Sequence, residues 1–289
     1  MEYKFKSHKI SVKNSESEDK PNEDYFIADD SNGIYIVADG VTATPRSGDK
    51  YPNPAGGQLA ARMFCEEVYK HLLFNKKAIE TKSVEIVKQA ISLANLKICS
   101  LNQAHNRYKE ANFADKDYFG TVGTVVVATN ERFSILHVGD VMALLKRKLN
   151  IDLLTNIQTR NVFEYKKKVT ETGIINPRDL AITVRRDFRN NINSQGLNGE
   201  KVGYGVFTGE EGVRNFVQVC EVPFHENDTL LILSDGLEPL IDYVLHNPEG
   251  MLLFCRMIDE GPEFLNWLLA ENQQFEKRSD DKTALVINV

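Results

Sequence analysis

The spacing of apolar residues changes several times along the chain, and each change marks an element. Short runs of branched and aromatic side chains predict strands at Tyr25–Ala28 and Gly33–Ala38, the second carrying Ile34, Tyr35, Ile36 and Val37. A stretch rich in turn residues follows from Val41 to Pro54. The period then lengthens. Leu59, Met63, Phe64 and Leu72 predict an amphipathic helix over Ala55–Phe74, and Val84, Val87, Ile91, Ala94, Ile98 and Leu101 predict a second, with Ser83 where an N-cap belongs.

Strand-like runs return at Thr124–Thr129, Phe133–Val138 and Met142–Arg147, separated by short turns, which reads as an antiparallel meander. Thr155–Gly212 is polar and weakly periodic, so it is expected to be a long excursion over the surface, the kind of segment that often carries function. The chain should close with strands at Phe216–Val222 and Thr229–Leu233, helices after Ser234 and over Pro262–Glu276, and a last strand Thr283–Val289. Strands and helices come in blocks rather than in strict alternation. That favours an α+β fold with antiparallel sheets.

Composition narrows the class. The 289 residues are 42% hydrophobic and 26% charged, an ordinary globular balance, and no linker or repeat divides them, so one domain over 1–289 is expected. A net charge of -6 supplies no basic face for nucleic acid. The run Lys166-Lys167-Lys168 reads as a solvated loop or strand edge. No segment approaches the ~18 apolar residues of a membrane span, and Met1–Lys20 lacks the apolar stretch of a signal peptide; the expectation is a cytoplasmic protein with no membrane partner. Cys65, Cys99, Cys220 and Cys255 are widely spaced in apolar segments and read as reduced core thiols.

The candidate chemistry is acidic. Asp39-Gly40 ends one predicted strand, Asp235-Gly236 ends another, and Asp280-Asp281 precedes the last. Carboxylates at strand ends can converge on one rim of a sheet, where they repel unless a cation neutralises them, and an all-oxygen set suits Mg²⁺ or Mn²⁺. An Asp-Gly pair is most often a hairpin turn, but Gly40 leads into a long loop and Gly236 into Leu237, Leu240, Ile241 and Val244 at helical spacing.

Five blocks in order, Asn22-Glu23-Asp24, Val37-Ala38-Asp39-Gly40, His137-Val138-Gly139-Asp140, Leu233-Ser234-Asp235-Gly236-Leu237 and Asp280-Asp281-Lys282-Thr283, resemble the signature blocks of the metal-dependent protein phosphatases (the PPM, or type 2C, family). Ala94-Asn95 and Gly120-Thr121 add to the likeness. The resemblance implies two antiparallel β-sheets packed as a sandwich and flanked by helices, an α-β-β-α arrangement of four layers, with a variable flap over 155–212. It implies two Mg²⁺ or Mn²⁺ ions, with Asp39 bridging both, the Gly40 carbonyl completing one site, and Asp235 with Asp280 the other. Glu23 and Asp24 would hold metal-bound waters, and Asp140 would serve a third, weaker ion. The implied activity is hydrolysis of phosphoserine and phosphothreonine in protein substrates, by direct attack of a hydroxide bridging the ions.

The chain departs from the family pattern in four places. Val41-Thr42-Ala43 follows the first Asp-Gly, with no histidine there to act as general acid, so a metal-bound water is expected to supply the proton. No arginine precedes Asn22; Lys20 and Arg46 are the candidates for binding substrate phosphate. Gly139-Asp140 is followed by Val141-Met142, and Pro239 stands where an acidic residue is expected, leaving Glu238 or Asp242 as substitutes. Two alternatives stay open: a pseudophosphatase acting as a regulatory binding module, or the same centre acting on a small phosphorylated metabolite.

Overall fold

The structure, a computed structural model, describes residues 4–14, 20–41, 54–114, 116–129, 131–173, 175–276 and 279–289. Among these, ten strands form two five-stranded antiparallel sheets. One runs in the order β1 (Lys6–Val12), β10 (Lys282–Asn288), β9 (Thr229–Leu233), β6 (Met142–Arg147), β7 (Asn150–Leu153). The other runs β2 (Tyr25–Asp29), β3 (Ile34–Val41), β4 (Gly120–Ala128), β5 (Arg132–Val138), β8 (Gln218–Pro223).

Packing explains why β3 reads as an unbroken apolar run. Ile34 and Ile36 face helices α1 (Gly56–Phe74) and α2 (Lys76–Ala104), packing with Phe64, Val68 and Ile98, while Tyr35 and Val37 face the other sheet and meet Ile232 and Leu285. A strand covered on both faces has no polar side to show. On the far side, β9 and β10 carry α6 (Glu238–His246), α7 (Pro248–Asp259) and α8 (Glu263–Asn272) through Leu231, Leu233, Leu240, Phe254 and Phe264. The result is the expected four-layer α-β-β-α sandwich. No helix among the described residues is long and apolar enough to cross a membrane.

Several expectations need correction. The 155–212 excursion is not irregular: it holds α4 (Arg160–Thr172), α5 (Pro177–Thr183) and a widened turn at Val184–Phe188, around a small core of Val162, Val169, Leu180, Val184, Phe188 and Val202. Lys166–Lys168 therefore lie on a helix, not a loop. α2 breaks at Lys82 (φ -139°), so the helical stretch carrying residues 84–101 does begin anew at Ser83, after a preceding stretch from Lys76 that was not expected; the Ser83 hydroxyl lies 2.7 Å from that of Ser134. Cys65 and Cys255 are buried, but Cys99 and Cys220 are partly exposed, and all four are free thiols.

The site-bearing ends of the strands lie together because of register. Tyr25 pairs with Ala38, Asp39 with Val122, and Gly123 with Val138, which places Asp24, Asp39 and Asp140 at one end of their sheet. In the facing sheet Leu233 pairs with both Ala284 and Met142, so Asp235 and Asp280 leave the same edge.

Candidate functional site

Two backbone contacts assemble this rim, and each needs a glycine. A Cβ on Gly40 would come within 2.4 Å of the Gly57 backbone at the start of α1 and 2.8 Å of the Glu23 carbonyl. A Cβ on Gly236 would come within 2.1 Å of the Asp281 carbonyl oxygen. The first contact draws the Asp39 segment against Glu23, and the second draws the Asp235 turn against Asp280-Asp281. Thr121 then fixes β3 from the neighbouring strand, its hydroxyl donating to the Asp39 carbonyl at 2.6 Å.

Asp281 is an anchor that sequence reading did not separate from Asp280. Its carboxylate, 4% exposed, accepts the backbone N–H of Asn14 at 2.7 Å and of Glu23 at 2.9 Å. It thereby ties the N-terminal segment to β10, while the Asp280 side chain stays 46% exposed at the rim. Asn95 and Asn102 on α2 do similar work on the far side of the flap. Asn95 accepts from the Gly209 N–H at 2.8 Å, and Asn102 donates to the carbonyls of Phe119 and Thr208 at 2.8 and 2.9 Å.

Five carboxylates share one electric field. Burial raises the Asp39 carboxyl well above the usual range, and Asp235, Asp24, Asp140 and Asp280 push it further. Asp235 is raised in the same way, by burial and then by Asp140, Asp280 and Asp24. Burial lifts Asp24 to about 7; the Ser234 and Thr283 hydroxyls face it and temper the rise, but neither is placed as a hydrogen-bond partner. Both Asp24 oxygens and Asp140 Oδ1 are buried and unpartnered.

Such orphaned oxygens are costly in a protein interior unless something positive meets them. The donor chemistry, all carboxylate and carbonyl oxygen, fits Mg²⁺ or Mn²⁺. Among the described residues no three His, Cys, Asp or Glu side chains are drawn close enough to hold an ion as they stand. Like charges repel, and a cation is what would draw them in.

Lys20 is brought to this rim, with Nζ 3.4 Å from Glu23, 3.5 Å from Asp280 and 3.7 Å from Asp281. Burial works against its charge, but Glu23, Asp280, Asp281 and Asp39 outweigh that and bind its proton more tightly than in an ordinary lysine. Arg46, the other phosphate candidate, lies outside the described residues, as does 42–53 of the predicted loop. The proposed substitutes at the third site, Glu238 and Asp242, both pair with Arg160 at the start of α4. Asp140 Oδ2 accepts from the Thr159 hydroxyl at 3.1 Å.

His137 holds this corner together from beneath. Its ring, 2% exposed, places Nε2 3.0 Å from the Gly139 carbonyl and 2.9 Å from that of Asn156, joining the turn that carries Asp140 to the segment that leads into α4. Burial lowers its pKa to about 4, so it sits neutral.

The chain belongs to the protein phosphatase 2C family, whose profile matches residues 13–274. Its fold is shared with the catalytic domain of the serine/threonine phosphatase PstP solved with two manganese ions (TM-score 0.63, 17% identity, 98% of this chain and 97% of that one covered). PstP/Ppp of Mycobacterium tuberculosis gives a TM-score of 0.61 at 17% identity, covering 99% and 98%. PppA of Pseudomonas aeruginosa gives 0.61 at 14% identity, with the same coverage. A search of curated proteins finds no match.

Proposed function

We propose that the protein is a Mg²⁺/Mn²⁺-dependent phosphoserine/phosphothreonine protein phosphatase. The observation that carries this reading is the convergence of Asp24, Asp39, Asp140, Asp235 and Asp280 from five separate stretches of chain, with three buried oxygens left unpartnered. A cluster built only for stability would pair its buried charges, whereas Lys20 lies beside Glu23, Asp280 and Asp281 and leaves both Asp24 oxygens and Asp140 Oδ1 unmet.

In this reading Asp39, the Gly40 carbonyl, Asp235 and Asp280 would hold two ions, and Glu23 and Asp24 would orient water around them. Bound divalent ions supply hydroxide near neutral pH and offset the charge of the phosphoryl oxygens. Lys20 lies at the mouth of the same cluster, where an incoming phosphate would compete with Glu23 and Asp280 for its ammonium. Gly236 keeps the Asp235 turn against Asp280-Asp281, and Asp281 ties that segment to Glu23, which limits how far the donors would move to meet an ion.

The test is hydrolysis of an aryl phosphate and of a phosphothreonine peptide with Mn²⁺, with Mg²⁺ and with chelator, alongside Asp39→Asn. Turnover should require metal and fall by about a thousandfold or more in the variant, since a carboxylate that would hold the ions is lost. Metal binding without turnover on either substrate would instead favour a regulatory binding module, and turnover of small phosphorylated metabolites but not of peptides would change the substrate class.

A further inference from the structure

The flap carries a positive charge into the acidic corner where a third cation was expected. Glu238 and Asp242 lie one turn apart on α6, a spacing at which like charges repel. Arg160, the first residue of α4, spans them: Nε lies 3.2 Å from Glu238 Oε1, and Nη2 pairs with Asp242 Oδ1. The preceding residue, Thr159, bonds Asp140 through the one oxygen of that carboxylate that has a partner.

Glu238 and Asp242 therefore each accept from Arg160, and Asp140 accepts from the flap through one oxygen, while Asp235, which faces Asp140, belongs to the proposed two-ion set. A divalent ion in this corner would have to displace the guanidinium from two of them, and a guanidinium fork satisfies two carboxylates with fixed geometry and no dehydration of a small ion. With Glu238 and Asp242 held by Arg160 and Asp235 assigned to the two ions, Asp140 Oδ1 is the one buried open oxygen left among these four carboxylates, too few protein donors for a third metal.

We propose that Arg160 takes the place of a third cation, so that the protein holds two divalent ions and couples the first helix of its flap to α6 through charge. The inference rests on the two-ion reading of the site, yet it concerns residues outside the proposed ligands of those two ions. Side chains of Arg160 and Asp242 are 42% and 44% exposed, so variants at position 160 remain folded and the readout is ion count rather than stability.

The experiment is native mass spectrometry of the full chain titrated with Mn²⁺, checked by calorimetry, for wild type, Arg160→Gln and Arg160→Lys. Wild type should take up two ions. Arg160→Gln, which removes the charge and frees Glu238 and Asp242, should gain one further, weaker ion, and Arg160→Lys should stay at two. A third ion in wild type, an unchanged count in Arg160→Gln, or a third ion in Arg160→Lys would overturn the proposal. No ion in wild type would instead sink the two-ion reading, and the difference between wild type and Arg160→Gln would still decide the role of Arg160.

Discussion

Asp117 and Asp24 are both nearly buried, at 3% and 8% exposed, yet their surroundings are opposite. Asp117 receives Arg189 through two parallel hydrogen bonds of 2.9 Å, with Arg185 at 3.6 Å. Arg189 is itself 5% exposed and lies over the rings of Phe113 and Tyr118. Asp24 has no hydrogen-bond partner on either oxygen. A carboxylate used to hold the fold together comes with its cation, because a buried charge left alone costs several kcal/mol. Under the proposed function, one left open amid four other acids would meet a cation from outside, and the cost of keeping it open would be borne by the rest of the fold.

The sharpest way to break this comparison is to remove the cation from the structural site. Arg189→Met should destabilise the protein by about 3–5 kcal/mol, because it strands Asp117, and adding Asp117→Asn should recover part of the loss. Urea denaturation of the single and double variants measures it; equal losses in both would mean that Asp117 does not need its partner.

Next in size is His137, buried like these acids but kept neutral. Its folded pKa near 4 lies below the ~6.5 of an unfolded histidine. The associated stability is complete above pH 6.5 and is lost as pH falls through 4, about 3 kcal/mol in all. Comparing stability between pH 7 and 4 for wild type and His137→Gln should show that slope only in wild type.

The smallest effect is at the open site. In chelator-treated protein at pH 8, Asp24→Asn should raise stability by about 1–2 kcal/mol, since it removes a charge whose pKa of about 7 shows that the interior disfavours it. With saturating Mn²⁺ the wild type should recover the advantage. Thermal melts in both conditions check this, and a destabilised variant under chelator would place Asp24 with the structural acids.

What the sequence made legible follows from side-chain packing. Ile34–Ala38 and Thr124–Ala128 are buried on both faces and so read as dense apolar runs, whereas β1, Lys-Ser-His-Lys-Ile-Ser-Val, is an edge strand with no fully buried residue and carries no such signal. In the flap, α4 buries only Val162 and Val169, seven residues apart, too sparse a stripe to declare a helix. The α5 start did carry a signal: Asn176 accepts from the Asp179 N–H at 2.9 Å with Pro177 in the first turn, a capping pattern visible in the residues themselves. At the site, Asp39, Asp140, Asp235 and Asp280 were recognisable as motifs, but the separate tasks of Asp280 and Asp281 were not, since adjacent identical side chains differ only in which backbone groups they meet.

By itself the sequence determined the family and the candidate ligands: acidic residues at strand ends, glycines beside two of them, and apolar runs sufficient for two sheets and two helical layers. Those are local properties, set by side-chain type and period. Tertiary structure alone decided which acids lost their partners, that Asp281 would bind backbone 258 and 267 residues away, and that Arg160 would reach across to Glu238 and Asp242. Burial and charge pairing are properties of neighbours in space, and strand register, not chain order, chooses those neighbours.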